Sequence, residues 1–247
     1  MDNAEGNTVH AGEGGEIWER LAPGVARRRL PFLDVTIGVV VGTNDVLVVD
    51  TGSTVRTGAE LNRQVNELTG RPVSHVALTH GHFDHVFGTA AFTGAQVYGG
   101  VALDGYLQQE REALRADAVR HGTAPPDAAE ACDALVRPNR LVGDRYEIDL
   151  GDREVRLVHP GRGHTDHDLA VVIPGTPTVV FCGDLVEESG EPQAGPDAVP
   201  GEWPGTLDRL LELGGETALY VPGHGATVDA RFVRRQRDAL AQRFGVS

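Results

Sequence analysis

The 247-residue chain has no lysine: all 22 of its basic residues are arginine. That excludes Schiff-base and lysine general-base chemistry. It has only two cysteines, Cys132 and Cys182, too few for a disulfide framework, so a reducing cytoplasm is the simpler home. No apolar run approaches the ~20 residues that a membrane helix needs, so no membrane partner is expected. Basic charge is scarce against acidic. The net charge of −14 argues against a nucleic-acid partner, whose affinity rests on basic contacts to phosphate. The opening MDNAEGNTVHAGEGGE offers neither the basic nor the apolar region of an export signal. The stretch RRRLPFLDVTIGVVVG from Arg27 could pass for a twin-arginine leader. It starts late, however, carries Asp34 inside its apolar part and runs directly into another strand-like segment. What remains is a chain long enough for one large core, read here as one domain over residues 1–247.

What is present is a repeated pattern. VTIGVVVGTNDVLVVDTGS reads as two β-branched runs joined across Gly42-Thr43-Asn44-Asp45, a hairpin. VRTGAELNRQVNELTG has helical spacing at Leu61, Val65 and Leu68 and stops at Gly70. A short apolar strand, HVALTH, follows. The second half repeats this order. One hairpin is expected around Gly151-Asp152 and another around Pro174-Gly175. An amphipathic helix over WPGTLDRLLELGG, a strand at ALYVPGHG and a closing helix over DARFVRRQRDALAQRF complete it. Between the halves, residues ~104–137 read as a helical insertion broken at Pro125-Pro126. Two β-then-α halves suggest two sheets facing each other.

The densest chemistry lies in THGHFDHVFG, where His80, His82, Asp84 and His85 fall within six residues. Imidazole and carboxylate are natural zinc ligands, and a catalytic zinc takes three protein ligands while leaving a place for water. His80 and His82, two apart at a strand end, can face one ion; Asp84 and His85, a short turn on, can face a second. A lone histidine is usually a satisfied polar group, but a cluster of this density is chiefly a transition-metal feature. Three later stretches, GRGHTDHD, VVFCGDLV and VPGHGA, set His164, Asp184 and His224 beside glycines after strands. Glycine there lets the backbone approach closely and adopt angles closed to other residues. Asp184 is expected just beyond the end of its strand.

These motifs, in this order, resemble the metallo-β-lactamase superfamily: His-x-His-x-Asp-His, a later His, a later Asp and a last His. The resemblance runs from the hairpin before VVDTGS to the last helix. It implies a four-layer αββα sandwich of two similar β-then-α halves. It further implies two metal ions, zinc foremost with iron or manganese as alternatives. His80, His82 and His164 would hold one ion, Asp84, His85 and His224 the other, and Asp184 would bridge them. Exported lactamases with a cysteine ligand carry it where this chain has Asp184; Cys182, two residues away, reads as a small buried residue. Asp50 in VVDTGS matches a further family motif, and its expected part is to accept a ligand histidine's outer N–H. His167 has no family role and reads as a solvated loop residue in preference to one that lines the pocket.

The implied chemistry is attack by a metal-bound hydroxide on the carbonyl of an ester, lactone or thioester in a small-molecule substrate, with Asp84 orienting the nucleophile and passing a proton. The same fold admits two alternatives, a β-lactamase and an iron-dependent oxidoreductase. A purely structural site is excluded, since those are usually closed and cysteine-rich. The loop from Glu187 to Gly205 follows the proposed bridge and should overhang the metals, with Trp203 and Phe32 as candidate walls. Shortening it is expected to alter substrate preference while metal content stays put. The substrate, the native metal and the oligomeric state are not encoded legibly.

Overall fold

The structure is a computed structural model that describes residues 18–246; His10 lies outside them. The chain opens with the β1–β2 hairpin, Glu19–Ala22 and Val25–Arg29, followed by the strands β3 (Thr36–Val41) and β4 (Val46–Val49). After β4 the helix α1 (Val55–Thr69) crosses to β5 (His75–Ala77). Thr54 caps α1 by accepting the Thr57 N–H, and Gly70 ends it in the left-handed region at φ 67°. The short helix α2 (Phe83–Val86), a 3-10 turn at Thr89–Ala91 and β6 (Gln96–Gly100) come next. Three helices follow, α3 (Val101–Gln109), α4 (Arg111–Arg120) and α5 (Pro125–Asp133). The helical stretch thus starts three residues earlier than the sequence suggests. Pro125 and Pro126 form the first turn of α5, where the missing N–H groups would have had no helical partner.

After β7 (Arg140–Val142), the second half runs through β8 (Arg145–Asp149), β9 (Glu154–Val158), β10 (Ala170–Ile173) and β11 (Val179–Glu187). Helix α6 (Trp203–Gly214), β12 (Leu219–His224) and α7 (Ala230–Phe244) complete it. One sheet has the order β1-β2-β3-β4-β5-β6-β7 and the other β12-β11-β10-β9-β8. In each, antiparallel hairpins give way to parallel pairing after a crossover helix: β4 to β5 through α1, and β11 to β12 through α6. The hairpins read from the sequence at residues 42–45, 151–152 and 174–175 are those of β3–β4, β8–β9 and β10–β11.

Three apolar clusters define four layers. Val40, Leu47 and Val49 from one sheet meet Leu157, Val171 and Phe181 from the other, forming the seam between the sheets. Helices α1 and α3–α5 cover the outer face of the first sheet through Leu61, Val65, Leu103 and Leu114. Helices α6 and α7 cover the second through Leu207, Leu210, Val233 and Leu240. This is an αββα sandwich, and the chemistry-bearing residues gather where the parallel strands end. In open α/β sheets the strands' carboxyl ends are the usual place for a site.

Candidate metal centre

The two halves deliver their residues in the same way. Asp50 follows β4, and the His80–His85 stretch follows β5. In the second half Asp184 lies in β11 and His224 ends β12. The sequence placed Asp184 beyond its strand. In fact β11 continues to Glu187, but its register with β12 shifts on both sides of Gly183, which turns the Asp184 carboxylate out of the ladder. Gly183 has φ 52°, and a Cβ there would lie 2.8 Å from Thr79. Gly223 is tighter still: its Cβ would sit 1.9 Å from Asp184 Oδ1. A side chain at 223 would occupy the space that the carboxylate needs.

Seven predicted side chains come together. Ligand atoms of His80, His82, His164 and Asp184 lie within 4.8 Å of one another, as do those of Asp84, His85 and His224. Asp184 connects the sets. Its Oδ1 is 3.2 Å from His85 Nε2, and its Oδ2 is 3.2 Å from His224 Nε2, 3.5 Å from His164 Nε2 and 3.7 Å from His80 Nε2. Asp84 Oδ2 faces His224 Nε2 at 3.4 Å.

The outer nitrogens of these rings decide what the inner ones can do. His85 donates Nδ1–H to Asp50 Oδ2 at 2.9 Å, and His224 donates Nδ1–H to the Leu33 carbonyl at 2.7 Å. His164 donates Nδ1–H to the Gln193 carbonyl at 3.0 Å, and His82 donates Nε2–H to Asp197 Oδ2 at 3.0 Å. Thr79 gives its hydroxyl proton to Asp50 at 2.7 Å, so its oxygen accepts the Nδ1–H of His80 at 3.1 Å. Each of the five imidazoles therefore turns a lone pair inward. Two of these nitrogens, His82 Nδ1 and His164 Nε2, stand 2.9 Å apart, and His85 and His224 Nε2 stand 3.3 Å apart. His80 Nε2 and Asp184 Oδ1 are buried with no hydrogen-bond partner. Acceptors packed this closely need a proton or a cation between them. The donor set, imidazole with carboxylate, suits zinc and its first-row neighbours. The residues fit a pair of metal ions.

The titration behaviour agrees. Burial disfavours charge on His224, but Asp184 and Asp84 outweigh it and raise its pKa to about 10. His85 is fully buried, yet Asp184, Asp84 and Asp50 hold it well above the usual histidine range. Burial, with His85 beside it, drives His80 well below that range, and burial takes His164 down to about 4. Burial also resists the charge on Asp184, but His224, His85 and His80 keep its pKa well below that of an ordinary carboxylate. Burial resists charge on His82 as well, but Asp197 raises its pKa, so protons are favoured on His82, His85 and His224 and a metal would compete with them.

Asp50 is itself a shaped residue. At φ 59° it occupies the left-handed region, and its Oδ1 accepts the Thr79 N–H at 2.8 Å. It thereby ties the end of β4 to the loop carrying His80 and His82. A non-glycine residue held there indicates strain that the surrounding contacts overdetermine.

Two expectations need correction, and two partners were not anticipated. His167 is not solvated: it is 1 % exposed, accepts the Gly81 N–H on Nε2 at 3.1 Å and packs against Tyr106 with ring centroids 4.7 Å apart. The small polar residues of GRGHTDHD suggested water around it; the turn between His80 and His82 covers it instead. Trp203 is no pocket wall. It is fully buried, donates Nε1–H to the Leu185 carbonyl at 3.0 Å and underlies His164. Asp197 and the Gln193 carbonyl, both on the loop after β11, went unnoticed as partners of candidate ligands. An acidic residue in a loop read as overhanging the metals was the one available signal. Phe32 is half-buried and packs against the helical cluster over the first sheet. Cys132 and Cys182 are both free and buried.

With this geometry in view, the sequence matches the description of the Metallo-beta-lactamase superfamily over residues 30–224. The chain belongs to that superfamily. It is a metal-dependent hydrolase of the group, and its His/Asp clusters are consistent with a binuclear metal site. It is 25% identical over 206 residues to the Metallo-beta-lactamase type 2 of Bacillus cereus, covering 82% of this chain and 72% of that one. It is 30% identical over 204 residues to the Acyl-coenzyme A thioesterase MBLAC2 of Gallus gallus, covering 76% and 71%. In fold it is similar to the crystal structure of a metallo-β-lactamase from Hirschia baltica, with a TM-score of 0.66 and 15% identity. That likeness covers 90% of this chain and 96% of that one. Among the described residues, no helix of this superfamily member is long and apolar enough to cross a membrane.

Proposed function

We propose that this hydrolase cleaves the carbonyl bond of a small ester, lactone or thioester with two zinc ions, one held by His80, His82 and His164 and the other by Asp84, His85 and His224, with Asp184 shared between them. Five inward imidazole lone pairs around one carboxylate carry the reading; no other arrangement of the described residues gathers as many donors. When bound, such ions lower the pKa of a coordinated water to near 7 and polarise a carbonyl oxygen.

The chain's own groups do the rest. Asp84, in the first turn of α2 and facing His224, orients the attacking water and accepts its proton. It returns that proton to the departing oxygen or sulfur as the carbonyl carbon's bond to it breaks. Asp50 keeps His85 in the tautomer that points Nε2 inward. Iron or manganese could occupy the same donors. The avian thioesterase supports the thioester reading, and Asp184 in place of a cysteine supports it over a β-lactamase. The Bacillus relative, named a β-lactamase, keeps that second reading in the test. We place the chain in the cytoplasm, acting on small molecules rather than membranes or nucleic acid; two free, buried cysteines support that setting.

The test is a panel of thioesters, lactones, esters and β-lactams assayed with zinc-loaded and chelated protein. Turnover that disappears on chelation and returns with zinc is expected for the first three classes. Activity confined to β-lactams would support the second reading. Protein carrying two zinc ions but inert on the whole panel would refute the proposal.

A further inference from the structure

Apart from His80, which Thr79 orients, the histidines of the two candidate ligand sets are oriented by different segments. His85 and His224 are held by Asp50 and by the Leu33 carbonyl, both on the first sheet's side. His82 and His164 are held by Asp197 and the Gln193 carbonyl, both on the irregular segment between β11 and α6. That segment is itself fixed. Val199 donates its N–H to the Gly163 carbonyl, next to His164, at 2.9 Å, and Arg243 on α7 donates to the Pro192 carbonyl at 2.9 Å. Asp197 therefore lies between two anchored points, within hydrogen-bond reach of a ring 115 residues away in sequence. It is half-buried, so the bond is partly withdrawn from water.

We propose that Asp197 is a positioning residue for the ion of His80, His82 and His164, and that the loop after β11 is part of that metal site rather than only a cover over it. The proposal rests on the binuclear reading above. His82 offers the site its Nδ1, so its only orienting contact must come through Nε2, and Asp197 supplies it. A carboxylate there fixes the tautomer, prevents the ring from turning and raises the basicity of Nδ1. Such outer partners are worth 10–100-fold in metal affinity. The expectation that loop changes leave metal content untouched is thereby reversed for changes that remove Asp197.

The experiment titrates metal-free protein with zinc against a chromophoric chelator, resolving the two affinities in wild type, Asp197→Ala, Asp197→Asn and Asp166→Ala. Asp166 is an exposed carboxylate beside His167 that touches no candidate ligand, so it controls for simple loss of charge. Asp197→Ala should weaken one zinc affinity by about 10–100-fold and leave the other within about twofold. Asp197→Asn, which keeps an acceptor oxygen but not the charge, should fall between it and wild type. Asp166→Ala should change neither. The thermal midpoint of metal-free Asp197→Ala should match wild type, because a general structural role would lower it. Unchanged affinities, equal loss at both sites, or an equal effect of Asp166→Ala would each overturn the proposal. A wild-type chain that takes up no zinc overturns the binuclear reading as well. One that binds two ions but ignores Asp197 overturns this inference alone.

Discussion

Replacing Asp184 by asparagine isolates the one side chain common to both ligand sets. The amide has nearly the carboxylate's shape, so it fits the space that Gly223 leaves open, and folding should be retained. What changes is charge. Asp184 reaches four inward histidine nitrogens, at 3.2–3.7 Å, and supplies the anion between the two proposed cations. At an effective dielectric of about 20, two unit charges ~4 Å apart interact by ~4 kcal/mol. If water entry and relaxation recover half, ~2 kcal/mol remains at each ion, and each ~1.4 kcal/mol is tenfold in rate. The loss of hydrolysis should therefore exceed about a hundredfold, consistent with a first-contact ligand costing more than the 10–100-fold of an outer partner. Two divalent ions without the shared anion repel, so occupancy should fall toward one per chain. The assay pairs steady-state hydrolysis with elemental analysis of the same preparation, and circular dichroism verifies the fold. Asp184→Asn protein that keeps two ions and turns over at near the wild-type rate would refute the shared-ligand assignment.

Removing Asp50 should act on the other ion from the one Asp197 serves. Asp50→Asn should weaken the affinity of the Asp84, His85 and His224 set by about 10–100-fold, read by zinc competition, while the other affinity, which Asp50 reaches only through Thr79 and His80, falls less. Equal loss at both would instead point to Asp50's bonds to Thr79 as its main role. Trp203→Ala should cost about 3–5 kcal/mol, since a fully buried indole leaves a cavity and the Leu185 carbonyl loses one of its two donors, keeping only Gln236 Nε2. For a chain of this size that is a fall of roughly 6–20 °C in the melting midpoint by calorimetry; a change under a few degrees would show that the site collapses readily around the gap.

The hairpins were legible because their signals are local: β-branched runs on either side of turn residues, and a helix that stops at Gly70 with the geometry glycine allows. The seven candidate ligands were legible because residue type and spacing already state the chemistry. The strand β2 was not foreseen, since VARRR is basic. Arg27 is nevertheless buried, because its guanidinium meets Glu19 and the Gly225 carbonyl, and no local pattern announces partners 8 and 198 residues distant. Asp197 was missed for the same reason. Nothing near PDAVPG in the sequence says that it will meet His82, since that contact depends on how the loop after β11 is pinned to Gly163. His167 was misread because a polar loop looks solvated until the residues that cover it, Gly81 and Tyr106, are known.

The central claim is that one site holds two ions, and the most direct test is metal content. Chain purified without chelator, reloaded with excess zinc and desalted, should carry close to two zinc ions per molecule by elemental analysis, and Asp184→Asn closer to one. A wild-type chain that holds a single ion and accepts no second on reloading would contradict the account.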